Sequence, residues 1–67
     1  MRRKLLVPGT RVLLWPEDTY QKYAVVRKVD RHYVVFEITM VHPGEKHYRV
    51  GDVIKIPRPM VRVQPLD

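Results

Sequence analysis

Apolar and polar residues alternate most clearly between Tyr23 and Thr39, and a period of two is typical of a β-strand. A turn signal at Asp30-Arg31 divides this segment into two halves. The residues that share one apolar face are Ala24, Val26, Val29, Val34, Phe36 and Ile38. Valine, isoleucine, tyrosine and phenylalanine favour a pleated, half-buried surface. The pattern therefore predicts a central β-hairpin, and the rest of the chain must cover it because an isolated hairpin is only marginally stable in water.

Lys28 interrupts this alternation. If Ala24 and Val26 face the core, strict alternation would also point the charged side chain of Lys28 into the core. A β-bulge near Arg27-Lys28 would turn Lys28 outward and return Val29 to the core. The spacing predicts such a bulge.

Short strands are also predicted on both sides of the hairpin, at Arg11–Trp15, Val53–Ile56 and Met60–Gln64. Their inward residues are expected to be Val12, Leu14, Ile54, Ile56, Val61 and Val63. Pro16 ends the first of them, since proline cannot donate to a sheet ladder. Pro57-Arg58-Pro59 predicts a short extended or 3₁₀ connection.

The remaining segments are predicted to be loops and tails: Glu17–Lys22 with Asp18 as the cap of a single helical turn, Met40–Lys46, a brief pairing at His47–Val50, and a tail at Pro65–Asp67. Two interpretations stay open for Trp15 and Tyr20, which could cover the core or form an exposed recognition surface. No segment has ten residues of helical periodicity.

These elements predict an all-β fold, and at this length the natural closure is a small, partly open five-stranded barrel that leaves little exposed edge. The 67 residues suffice for one domain. We assign residues 1–8 to a basic N-terminal arm and residues 9–67 to the barrel.

The positive net charge is the strongest indication of function in the sequence. Thirteen Lys and Arg face seven Asp and Glu, for a net charge of +6. A small domain with this balance favours polyanions, of which nucleic acid is the most common. The chain has no cysteine and no serine, so a Ser or Cys nucleophile is impossible, and we expect neither an enzyme nor a cofactor. The histidines His32, His42 and His47 match no zinc spacing, so no metal site is expected.

Other features bear on location. No apolar run approaches the roughly 20 residues that span a bilayer, and the apolar part of MRRKLLVPG is too short for a signal peptide. We therefore expect a cytoplasmic protein with no membrane contact. Asparagine is absent and charged residues are abundant, a trend among proteins of thermophiles.

Three motifs carry a family resemblance: Gly9-x-x-Val12-x-Leu14-Trp15-x-Glu17-Asp18, then Tyr23-Ala24-x-Val26-x-x-Val29, then Val34-x-Phe36. Over residues 9–38 the chain resembles SH3-like small β-barrels of the Tudor and KOW kind. The resemblance implies an SH3-like fold. Tudor domains continue with Asp-Tyr-Gly where this chain has Glu37-Ile38-Thr39, and the aromatic residue that would complete a methyl-lysine cage near Ile38 is absent. The resemblance therefore implies the fold and not the cage.

Strand alternation places tyrosines and cations on the outer face of the hairpin. Cations neutralise phosphates, and tyrosine rings stack on bases. The predicted nucleic-acid-binding residues are Arg2, Arg3, Lys4, Arg11, Tyr23, Arg27, Lys28, Arg31 and Tyr33. We expect contacts mainly to the phosphate backbone of DNA or RNA, with base stacking at the tyrosines.

Two alternatives stay open. The outer face could be an ordinary solvated surface, and the arm a frayed terminus. Outward Val25 and Val35 instead favour a protein interface or a homodimer seam. The chain would then be a small module that docks on, or inhibits, a larger machine such as a polymerase, a ribosome or another enzyme, and it could be a monomer or a homodimer.

Overall fold

The fold is a sheet of five antiparallel strands, seen in a computed structural model that describes residues 6–66. The strands are β1 (Arg11–Leu14), β2 (Lys22–Val29), β3 (Tyr33–Val41), β4 (Val53–Pro57) and β5 (Val63–Pro65). A 3₁₀ helix, Arg58–Met60, precedes β5. The predictions of an all-β fold with five strands and of a 3₁₀ connection after β4 are confirmed.

The strand order is β4-β3-β2-β1-β5, so β1 to β4 form a meander and β5 returns to pair with β1. The connection from β4 to β5 therefore crosses from one edge of the sheet to the other. It is tied down on both sides: the Arg58 amide donates to the His32 carbonyl at 3.0 Å, and the Trp15 amide donates to the Arg62 carbonyl at 2.7 Å. Among residues 6–66 no ladder joins β4 to β5, so the sheet itself stays open.

The bulge predicted in β2 is confirmed. Val26 pairs with Phe36 and Lys28 pairs with Val35, which leaves Arg27 as the extra residue. A second irregularity lies between Tyr23 and Ala24. Bulges increase the local twist, so these two positions help the sheet to curl over its apolar face.

The core lies on one face of this sheet, opposite the outer face. Its buried residues are Val12, Leu14, Ala24, Val26, Val34, Phe36, Ile38 and Ile56. Ile54 and Val61 were expected in the same core and pack against its margin, where they are only partly buried. Leu6 also packs on this cluster, although it falls in the segment assigned to the arm.

Several predicted boundaries are wrong. The first strand ends at Leu14, because Trp15 adopts a left-handed backbone with φ of 48°. Met60 belongs to the 3₁₀ helix, and the last strand is displaced to Val63–Pro65, so that Pro65 is part of the sheet and not of the tail. Neither a helical turn at Asp18 nor a strand at His47–Val50 forms in residues 6–66.

Lys22 is the largest departure from expectation. The sequence placed it in a polar loop, whereas it begins β2 and its side chain is only 2% exposed. Its ammonium lies 3.1 Å from Asp18 Oδ2 and 3.5 Å from Glu45 Oε1, and it donates to the Tyr20 carbonyl at 3.2 Å. These partners compensate the cost of burying the charge.

Two aromatic rings flank the same ammonium. Lys22 Nζ lies 5.8 Å from the Trp15 ring centroid and 5.6 Å from that of Tyr48, within the range of a cation–π contact. The left-handed backbone of Trp15 costs about 1–3 kcal/mol. Its indole N–H donates to the Met60 carbonyl at 3.4 Å and its amide donates to the Arg62 carbonyl, so the segment before β5 holds this residue in place together with Lys22.

Glu45 connects Lys22 to the loop between β3 and β4. Its Oε2 accepts the amides of His47 at 2.7 Å and Tyr48 at 3.2 Å, while Oε1 faces Lys22. The pKa of Glu45 is lowered from 4.5, first by the His47 amide and further by the Lys22 charge and the Tyr48 amide, against the opposing effect of burial.

A second contact joins the same two loops. A Cβ on Gly44 would lie 2.6 Å from a carbon of the Tyr20 ring, so the ring packs directly on the glycine. The His42 amide donates to the Gln21 carbonyl at 2.9 Å beside it. The loop after β1 and the loop after β3 are therefore held together at one end of the sheet.

Phe36→Ala should lower the free energy of unfolding by about 3–5 kcal/mol, because the ring is fully buried at the centre of the core. Val53→Ala is the control, since Val53 is 65% exposed and its truncation should change stability by less than about 0.5 kcal/mol. Both values come from urea denaturation. Equal effects of the two substitutions would contradict the assigned core.

Glu45→Gln should make the protein less sensitive to acid. A carboxylate whose folded-state pKa is lowered stabilises the fold above its unfolded pKa, and this contribution is lost as the pH falls through the folded value. The difference in unfolding free energy between the wild type and Glu45→Gln should therefore shrink as the pH falls below 4.5, the ordinary pKa of the group. Lys46→Gln, an exposed neighbour, is the control. A wild-type advantage over Glu45→Gln that stays constant down to acid unfolding would refute the assigned role of Glu45.

Candidate nucleic-acid interface

The outer face of the sheet carries a row of two lysines around a valine. Lys28 of β2 and Lys55 of β4 both pair with Val35 of β3, one on each side of it. The bulge at Arg27 is what puts Lys28 into this row, since it shifts the later part of β2 by one residue relative to β3. Cations from two non-adjacent strands thus flank the same residue of β3.

Tyr33 is the first residue of β3, two residues before Val35 and next to the turn. The ammonium of Lys55 is 4.5 Å from the centroid of its ring, and that of Lys28 is 5.9 Å away. Both distances allow a cation–π contact. The ring therefore holds the two charged side chains close to each other on the surface.

Two arginines extend the positive charge at this end. Arg31 is exposed in the turn between β2 and β3, and Arg58 begins the 3₁₀ helix directly after β4. Arg58 Nη1 donates to the Asp30 carbonyl at 3.0 Å, which fixes it against that turn. The carboxylate of Asp30 also lies here, and its Oδ1 accepts the His32 amide at 3.2 Å.

We call this surface the basic face and define it as Lys28, Arg31, Tyr33, Lys55 and Arg58. Its four cations and the carboxylate of Asp30 leave a local charge of about +3. Lys28 and Lys55 contact an aromatic ring and Arg58 a backbone carbonyl, so within residues 6–66 no ion pair has to break before a phosphate approaches these cations.

Arg27 was predicted to contact phosphate, and the structure gives it a partner within the protein. Its Nη2 and Nε lie 2.6 and 2.7 Å from Glu37 Oε1. An exposed ion pair of this kind contributes about 0–1 kcal/mol to stability. The pair neutralises the charge in the middle of the outer face. Arg27 therefore attracts a phosphate less strongly than the cations of the basic face do.

Arg11 and Tyr23 lie at the opposite end of the outer face from Tyr33. They line an open groove of about 600 Å³ together with Gly9, Val25, Thr39, Met40 and Leu66. The predicted site residues therefore fall into two groups: Lys28 and Tyr33 come together near the turn that contains Arg31, whereas Arg11 and Tyr23 border the groove. Arg2, Arg3 and Lys4 lie outside the described residues.

Sequence reasoning missed Lys55 and Arg58. The alternation of β4, with Ile54 and Ile56 inward, already placed Lys55 outward. Its position beside Val35 depends on the register between β3 and β4, and the long loop that joins these strands hides this register from the sequence. Arg58 could not be assigned to this surface from the sequence, because its place there depends on how the 3₁₀ helix lies against the turn.

The remaining surface holds other features. A cleft of about 410 Å³ lies between Trp15, Tyr48 and Met60. Within residues 6–66 no cluster of three or more His, Asp or Glu could hold a metal ion. In the same part of the chain, no helix has both the length and the apolar character needed to cross a membrane.

Comparisons of the chain with family models, with curated proteins and with solved structures found no match.

Proposed function

We propose that this protein binds nucleic acid through the phosphate backbone, with the basic face as the contact surface. The observation that carries the proposal is the convergence of Lys28 and Lys55 on Tyr33, with Arg58 held against the turn that also contains the exposed Arg31. Four cations within one patch of a domain this small form a site for several adjacent phosphates.

We also propose that the fold is an SH3-like small barrel. The meander of β1 to β4 and the return of β5 to β1 support it, as do the bulges that curve the sheet. The 3₁₀ segment connects the two edge strands, β4 and β5, and the outer face of β2, β3 and β4 stays open to a ligand.

A protein-interaction module is the second candidate function. It is favoured by the open groove, in which Met40 is 60% exposed beside Val25 and Leu66. Exposed apolar residues grouped in one concave surface are typical of docking sites. Val35 fits docking less well than the sequence indicated, because lysines lie on both sides of it.

Replacing both Lys28 and Lys55 by alanine should weaken binding to nucleic acid of any sequence. If each lysine neutralises one phosphate, the slope of log K against log salt should become shallower by about 0.9 per lysine on duplex DNA. Fluorescence anisotropy with a labelled oligonucleotide between about 50 mM and 200 mM salt measures both quantities.

The matched control is Lys46→Ala with Arg49→Ala, which removes the same charge from exposed positions in the loop between β3 and β4. That loop follows the end of β3 farthest from the turn. The control should keep most of the affinity. Equal losses in the two double variants would mean that net charge alone, and not the basic face, determines binding.

A further inference from the structure

The groove at the other end of the outer face has a composition suited to flat, partly apolar groups. Gly9, Arg11 and Leu66 line it on the β1 side, and Thr39 and Met40 on the β3 side. Tyr23 and Val25 of β2 lie between the two sides, because β2 pairs with both β1 and β3. An aromatic ring is thus available at the centre of an open concave surface.

The groove and the basic face belong to one continuous surface. Val25 borders the groove and Lys28 belongs to the basic face, three residues later on the same strand, which corresponds to about 10 Å along β2. Between them the Arg27–Glu37 pair forms a nearly neutral strip. A ligand that fits the whole surface carries negative charge at one end and flat, less polar groups about 10 Å away.

From this arrangement, and resting on the proposed function, we propose that the ligand is single-stranded nucleic acid. Its phosphates lie on the basic face and one or more unpaired bases enter the groove beside Tyr23. A single strand presents free base faces next to its phosphates, and aromatic side chains stack on them without regard to sequence. A duplex keeps its bases paired and stacked inside, so it would engage the cations and leave the groove empty.

Charge and aromatic surface together support this occupant over an acidic, apolar peptide. Lys28 and Lys55 converge on Tyr33 at one end of the surface, and the ring of Tyr23 lines the groove at the other end. Every nucleotide of a single strand supplies one phosphate and one flat base face, so a repeating unit fits both ends of this surface. A peptide that carries carboxylates and apolar side chains is the competing occupant, and the experiment separates the two.

The experiment compares a labelled single strand of about 12 nucleotides, as DNA and as RNA, with a duplex of the same length at about 50 mM salt. Fluorescence anisotropy should give at least about tenfold tighter binding of the single strand. Tyr23→Ala should weaken single-strand binding by about 5- to 150-fold, the fold-change that corresponds to loss of one base stack. Tyr23→Phe should retain it.

Met40→Asp provides a variant with little risk of misfolding, because the side chain is 60% exposed. It places a carboxylate in the groove and should lower single-strand affinity while duplex affinity changes little. Val50→Asp is the matched control: Val50 is 63% exposed and lies in the loop between β3 and β4, outside the groove, and the substitution changes the net charge by the same amount.

The outcomes separate this inference from the function on which it rests. Equal binding of single strand and duplex, lowered by the Lys28 and Lys55 double variant and unaffected by Met40→Asp, would overturn the inference and keep the proposed function. Absence of binding to both forms would overturn both. Binding of an acidic peptide that depends on Met40, with no oligonucleotide binding, would assign the groove to a protein partner and overturn both as well.

Discussion

The buried ammonium of Lys22 is the constraint on which one whole end of the molecule depends. A charge that is 2% exposed must be compensated, and its partners come from two separate loops, with Asp18 after β1 and Glu45 after β3. Trp15 and Tyr48 lie beside it, and the strained backbone of Trp15 anchors the crossing segment that leads into β5. Removing one partner of a buried charge is destabilising, so the segments that surround Lys22 are coupled through this one charge.

This coupling also explains how a small domain can leave one sheet face free. The core occupies one face of the sheet, and backbone hydrogen bonds tie the loops and the 3₁₀ segment down at its margins. The outer face of β2, β3 and β4 is therefore not needed for packing. Cations that would be costly inside the protein can collect there, held near Tyr33 by contacts that leave them hydrated.

The sequence predicted the features that depend on local pattern. Alternation identified the core residues of the hairpin, and the phase of Lys28 located the bulge. It could not predict Lys22, because burial of a charged residue depends on partners about 20 residues away, such as Glu45. It placed Lys28, Arg31 and Tyr33 together, but Lys55 joins them only through the register of β3 and β4. Cytoplasmic location and a thermophilic source stay predictions.

The most direct test of the proposed interface is a residue-by-residue map of binding. Amide NMR shifts of the isotope-labelled protein would be followed while an unlabelled single-stranded oligonucleotide is added at about 50 mM salt. The account predicts that the largest shifts occur at Lys28, Tyr33, Lys55 and Arg58, with further shifts around Tyr23 and Met40. Shifts confined to the Trp15 and Tyr48 cleft, or no shifts at all, would contradict it.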